Sequence, residues 1–220
     1  MKFEHSEVFN FEGALRGMRN PMASWNRSDS KITWEYGETP YFEVGPNDMD
    51  LARRLITAGG EHRKFLRQIF VSVDITAPLY WWKEFDTYKI GTTANSTSTM
   101  HKLASTPITL DCFETDDYDD SLSMDNRPIP YSIGIAIEDL IDDLEEMRKK
   151  YNETKDKRYW KELIRWLPES WLQTRTVTMN YENLRNMYHQ REHHKLTEWH
   201  SFCHWVESLP YAAEFITDKI

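Results

Sequence analysis

The sequence predicts an α+β protein. Short alternating or β-branched runs, at Val8 to Phe11, Ile32 to Tyr36 and Ile69 to Thr76, read as strands and lie in the first part of the chain. An apolar stripe at helical spacing takes over from Ile137 and continues in further helical stretches to Glu207. Strands followed by helices, rather than a regular alternation, mark the α+β class.

Residues 1–45 read as strand-rich with turns, from the alternation of Val8-Phe9-Asn10-Phe11 and of Ile32-Thr33-Trp34-Glu35-Tyr36 before Gly37. Arg16, Arg19 and Asn20 beside Gly17 suit an anion, but a solvated turn explains them more simply. Asn47 or Asp48 is placed to cap a helix through Leu51, Leu55 and Ile56 that stops at Gly59-Gly60. His62 opens the next segment. Ile69 to Thr76 reads as a buried strand ended by Ala77-Pro78, because the residue before proline disfavours the helical region. The aromatic run Leu79 to Phe85 starts a short helix. Ile137, Leu140, Ile141, Leu144, Met147 and Tyr151 form one stripe, with acids early and Lys149-Lys150 late, matching the helix dipole. A shorter helix spans Arg158 to Leu167 and breaks at Pro168. Trp171 to Met179 reads as an extended connector and Asn180 to Glu207 as one long helix.

At 220 residues the chain suits a single domain, with an acidic insertion around 111–132 that holds Asp116, Asp117, Asp119, Asp120 and Asp125 before Arg127-Pro128-Ile129-Pro130. That tract lacks the spacing and glycine of a calcium loop and reads as solvated. The charged fraction of 29% and hydrophobic fraction of 40% are those of a globular protein with an ordinary core. A net charge of −9 disfavours broad nucleic-acid binding and leaves room for a small anion in a local basic pocket. Cys112 and Cys203 follow no metal spacing, so reduced thiols in a cytoplasmic protein are expected. No signal peptide or membrane span is expected either.

Thr87 to Lys102 stands out as a binding segment. It is polar and rich in Ser and Thr, has Gly91, carries Lys89, His101 and Lys102, and follows the apolar strand and aromatic helix. An ordinary capped surface loop remains open as the plainer alternative. His189 and His193, like His200 and His204, sit at i and i+4, but the further ligands and general base of a zinc helix are missing, so no metal is expected. Asn180 and Asn183 fit helix-start capping. No dinucleotide fingerprint, phosphate loop or nucleophile elbow is present, and Ser98 has no neighbour that reads as its base.

Three separated segments, in order, resemble the flavin-dependent thymidylate synthases. In His62 through Pro78 a His precedes a strand leading to Ala-Pro. In the central segment Thr87-Tyr88-Lys89 stands where Arg-His-Arg is usual, Thr92 stands for a Ser, Asn95-Ser96 for Asn-Glu, Ser98 is kept, and Met100-His101 stands for Arg-Tyr. The third segment, Leu167 through Arg191, follows the family's Leu-Pro, Thr-Arg, Asn, Leu, Asn, Arg progression, with Glu182 where an Arg is usual. The resemblance implies a thymidylate synthase-complementing (ThyX-like) fold, a mixed or antiparallel sheet with flanking helices. It also implies methylation of dUMP at uracil C5, with FAD as cofactor, methylenetetrahydrofolate as carbon donor and NADPH as reductant, in a homotetramer with sites between subunits. Arg191 and Arg175 then resemble the catalytic, nucleotide-binding arginines, with Glu84 and Ser98 on the same substrate. His62, Lys89, Asn95, Asn180 and Asn186 resemble the flavin-contacting residues. Because the central signature is altered, two alternatives stand beside this: a relative that binds a pyrimidine nucleotide without turnover, or one that modifies a different pyrimidine nucleotide.

Overall fold

The computed structural model describes residues 1–34, 40–123 and 131–218. The readings that involve Glu35, Tyr36, Gly37, Asp125 and Arg127 to Pro130 lie outside the described residues. In chain order the elements are β1 (Lys2–Phe9), α1 (Phe11–Arg19), β2 (Lys31–Thr33), β3 (Tyr41–Glu43), α2 (Pro46–Thr57), β4 (Phe70–Pro78), α3 (Leu79–Phe85), β5 (Thr93–Ser96), α4 (Thr99–Lys102), α5 (Ile133–Thr154), α6 (Lys157–Arg165), β6 (Leu172–Asn180), α7 (Tyr181–Arg191) and α8 (Thr197–Glu207). The four-stranded sheet has the spatial order β1-β4-β6-β5, and β2 pairs antiparallel with β3. The class is α+β, as the sequence predicts.

The chain divides into two compact units. The first comprises Met1, 76–85 and 96–175; the second comprises 2–75, 86–95 and 176–220. The strands β4 and β6 are each divided between them.

In the first unit, Leu103, Ile108, Phe113, Leu144 and Leu163 form a core against which Leu140, Ile141, Met147, Ile164, Leu167 and Trp171 pack. Four residues of the predicted stripe therefore meet this core, Leu144 fully buried and Leu140, Ile141 and Met147 partly so. The helix begins earlier than the stripe's first residue, Ile137, because the Ser132 hydroxyl accepts the Ile135 N–H at 3.3 Å and caps it. Asp156 caps α6 in the same way, accepting the Arg158 N–H at 2.9 Å. Glu145 accepts two hydrogen bonds from the Arg148 guanidinium, both at 2.7 Å, and the Ile108 N–H at 2.9 Å. Arg148 and Asn152 both donate to the Ala104 carbonyl, so α5 holds the 104–108 loop by side chains alone.

In the second unit, several expectations are corrected. Residues 1–45 contain a helix: β1 ends at Phe9, Asn10 takes a left-handed conformation (φ 69°), and α1 begins at Phe11. Its apolar residues Phe11, Ala14, Leu15 and Met18 are all buried and lie at i, i+3, i+4 and i+7. Arg19 sits in no solvated turn. It is buried and its Nε donates to Asp48, which also accepts the hydroxyls of Ser28 and Ser30. The cap of α2 is Gly45, with Pro46 at the first helical position. The supposed connector after Trp171 is β6. The long helix is two helices, α7 and α8, with residues 192–196 between them. Both helices turn apolar residues inward: Leu184, Met187, Trp199, Phe202 and Val206 are fully buried and Tyr188 is buried, whereas Leu196, also expected inward, lies between the helices and is half-buried.

Hydrogen bonds from Arg148, against the opposing effect of burial, hold the Glu145 carboxyl at about 2. A carboxyl depressed on folding stabilises the folded state above its ordinary range, and that contribution is lost as pH falls toward the folded value. In urea titrations the wild type should lose stability between about pH 4.5 and pH 2 more steeply than Glu145→Gln. Parallel curves would remove Glu145 as the source.

Candidate functional site

The segment singled out by the sequence is divided: residues up to Asn95 fall in the second unit and those from Ser96 in the first. The second unit opens a cavity of about 560 Å3. Thr87, Tyr88, Ile90 and Gly91 form one wall. Asn180, Glu182, Asn183, Asn186 and Gln190 form the other, and Arg67 completes it.

A reciprocal cap holds the two walls together. Where β6 gives way to α7, the Asn183 N–H donates to Asn180 Oδ1 at 2.9 Å and the Asn180 N–H donates to Asn183 Oδ1 at 3.2 Å. The Asn183 amide then donates to the Ile90 carbonyl at 2.8 Å, which ties the loop to the helix start. Gly91 makes that approach possible. Its φ is +79°, and an added Cβ would lie 3.0 Å from Asn183 Oδ1 and 3.3 Å from Asn180 Nδ2. Thr92 closes the turn by donating its hydroxyl to the Tyr88 carbonyl at 2.8 Å.

Tyr88 is the hub of the loop. Its hydroxyl donates to Gln190 Oε1 at 3.0 Å and accepts Arg191 Nε–H at 2.9 Å. The Arg191 guanidinium lies 4.7 Å from the Trp199 ring centroid and 5.6 Å from that of Tyr88. A planar cation flanked by two aromatic faces has little freedom left. Glu182 is buried, and both its oxygens accept from Arg63 Nε, at 3.1 and 3.0 Å. Arg185 is buried behind it, donating to the carbonyls of Phe215, Ile216 and Asp218. Burial, then the charge of Arg63, push its guanidinium down.

The predicted residues therefore distribute unevenly. Asn180 and Asn186 share the cavity wall, and the Asn186 carboxamide hydrogen-bonds no protein group among the described residues. Arg191 belongs to the same unit. His62, Lys89 and Asn95 are in that unit too, exposed and not in the cavity wall. Arg175, Glu84 and Ser98 fall in the first unit. There the Arg175 guanidinium stacks 4.2 Å from the Trp82 ring centroid, and its Nε donates to Gln173 Oε1 at 2.9 Å. The Ser98 hydroxyl oxygen caps α4 by accepting the His101 N–H at 3.2 Å. Glu84 is half-buried on α3.

No family model matches the chain, and no curated protein matches its sequence. Solved structures match it over nearly its whole length. One is the flavin dependent thymidylate synthase ThyX from Helicobacter pylori, complexed with FAD and dUMP. It gives a TM-score of 0.67 at 16% identity, covering 99% of this chain and 98% of that one. A second structure of Helicobacter pylori ThyX with FAD and dUMP gives 0.64 at 15% identity, covering 96% and 94%. The fold is the ThyX fold.

Sequence patterns single out none of Arg63, Arg67, Trp82, Gln173, Gln190 and Trp199, and they give Tyr88 no role of its own. Tyr88 and Gln190 are far apart in sequence, and no local pattern joins them. Burial pushes the Cys203 thiol up to about 12, with help from Glu207 and Glu192, so it is no nucleophile at neutral pH. The expected pairs of histidines do not converge: α7 ends before His193, His200 hydrogen-bonds the His194 carbonyl and His204 hydrogen-bonds Glu207. Among the described residues no group of three His, Cys, Asp or Glu is placed to hold a metal.

Gly91→Ala should cost about 1–2 kcal/mol, from the left-handed conformation alone, and more if Asn183 cannot move aside. Urea unfolding checks the value. An unchanged midpoint would mean that the loop takes another path.

Proposed function

We propose that this chain is a flavin-dependent thymidylate synthase-like enzyme that methylates dUMP at uracil C5, using methylenetetrahydrofolate as carbon donor and NADPH as reductant. The observation that carries the reading is the fold likeness along almost the full length of both chains to a ThyX whose structure holds FAD and dUMP.

FAD fits the residues present on one count and strains them on another. The cavity wall offers the carboxamides of Asn180 and Asn186, the Gln190 side chain and the Tyr88 ring, a mix of donors, acceptors and aromatic surface suited to a flat heterocycle. The cationic Arg-His-Arg is absent, and Arg67 is the cation in this wall. When bound, FAD would carry the electrons that NADPH supplies. The chain's own tasks are then binding, orientation and electrostatics. Arg191, held by Tyr88 and Trp199, polarises the uracil and stabilises the negative charge that develops on it. Arg175 binds the same nucleotide, with Glu84 beside it. Ser98 and the surrounding Ser/Thr backbone take the phosphate. In this reading Asn180 and Asn186 would meet the flavin from the cavity wall, and Lys89, Asn95 and His62, which lie outside that wall, would contact it beyond the cavity. Sites shared between the subunits of a homotetramer belong to this reading, as does a cytoplasmic setting.

A second reading is a nucleotide-binding relative without turnover, or one acting on a different pyrimidine nucleotide. It is favoured by Glu182, a buried carboxylate in the cavity wall already occupied by Arg63.

Purified protein should take up FAD with a flavin absorbance, and release tritium from C5-labelled dUMP when NADPH and folate are present. Flavin uptake without tritium release would favour the binding relative; colourless protein with no FAD affinity would remove the enzyme reading. Arg191→Ala should weaken dUMP binding by about 1–3 kcal/mol, the usual cost of stranding a polar partner. An unchanged calorimetric affinity would take Arg191 out of the site.

A further inference from the structure

Gln173 is 8% exposed, yet its side chain is polar and both ends are engaged within the first unit. Its Oε1 accepts Arg175 Nε–H at 2.9 Å, and its Nε2 donates to the Thr97 carbonyl at 2.9 Å. The carboxamide thus spans from the guanidinium to the turn that leads into Ser98. Its backbone carbonyl accepts the indole N–H of Trp82 at 2.9 Å, and the fully buried Trp82 presents its ring to Arg175 at 4.2 Å. The hydrogen bond at Nε fixes the rotation of the guanidinium plane, and the ring beneath fixes its tilt. The turn is tied from its other side by the Thr97 N–H, which donates to the Thr174 carbonyl at 2.9 Å. A buried carboxamide is costly unless its donor and acceptor are both used, and here each is used on a different partner.

We propose that Gln173 is a positioning residue that sets the Arg175 guanidinium in register with the Thr97–Ser98 turn, so that cation and turn meet an anionic nucleotide together. The inference rests on the nucleotide reading above and deepens it. No other residue type reproduces the bridge. Asn is one methylene shorter, Glu loses the donor and sets a carboxylate against the Thr97 carbonyl, and Met supplies neither end.

The test compares wild type, Gln173→Met and Gln173→Glu as folded proteins. It uses dUMP titration calorimetry, FAD uptake as a control, and the 15N-Nε resonance of Arg175 without ligand, assigned through Arg175→Lys. Gln173→Met should bind dUMP at least tenfold more weakly, keep FAD affinity within twofold, and move the Arg175 resonance toward the free-arginine position. Gln173→Glu should keep that resonance near its wild-type position but still bind dUMP more weakly, because the link to Thr97 is gone. A purely structural role would lower the melting temperature and leave dUMP affinity within twofold in both variants, which overturns the proposal. If the wild type binds no dUMP, the nucleotide reading fails instead. The resonance then decides the coupling by itself: movement in Gln173→Met upholds it and no movement overturns it.

Discussion

The cavity depends on one junction, the reciprocal hydrogen bonds between Asn180 and Asn183. A cap of this kind contributes only about 1 kcal/mol. Its importance lies in where it sits. Asn180 ends a strand and opens a helix, Tyr181 N–H donates to the Ile69 carbonyl just before β4, and the spare amide of Asn183 reaches the Ile90 carbonyl. Strand, helix and loop are registered within the four residues 180–183. Asn186, Gln190 and Arg191 inherit their positions along α7 from that start.

Sequence patterns revealed those elements whose period and terminators agree. The strand through Val71, Val73 and Ile75 buries alternate residues, and Pro78 marks its end, as its β-branched run implies. The cap at Asn180 and Asn183 was legible too, because short polar side chains before a helical stripe have a local mechanism. Phe11, Ala14, Leu15 and Met18 carried the period of α1, but Gly13 and Gly17 weaken its helix propensity, and two short alternations nearby pointed to strands. The break between α7 and α8 has no glycine or proline to announce it; Glu192 to Leu196 is made of residues that tolerate a helix. Beyond the break, Trp199 and Phe202 are fully buried and pack edge to face. Trp82 and Tyr88 act on partners distant in sequence, and Gln173 joins Arg175, two residues on, to the distant Thr97; a single sequence carries no sign of the distant pairs.

Charge around the cavity is settled by local pairs. Tyr88 brings no charge to the wall; it uses its hydroxyl and ring to hold Arg191. Glu182 brings a negative charge into the wall, and Arg63 neutralises it at a hydrogen-bonded distance. A buried pair of this sort tolerates poorly the loss of one member, because the other is stranded. Changes at 63 and 182 are therefore coupled, as are changes at 88 and 191.

The interruption at residues 192–196 has a geometric corollary. On an unbroken helix, eight residues from Arg191 to Trp199 would separate the two by roughly 12 Å along the axis. Folding back instead lays the indole against the guanidinium. The length of that short connector thus acts as a spacer: adding or deleting a residue there would change the reach of the fold-back and move the indole off the guanidinium, altering the cation's surroundings without touching any residue that contacts it.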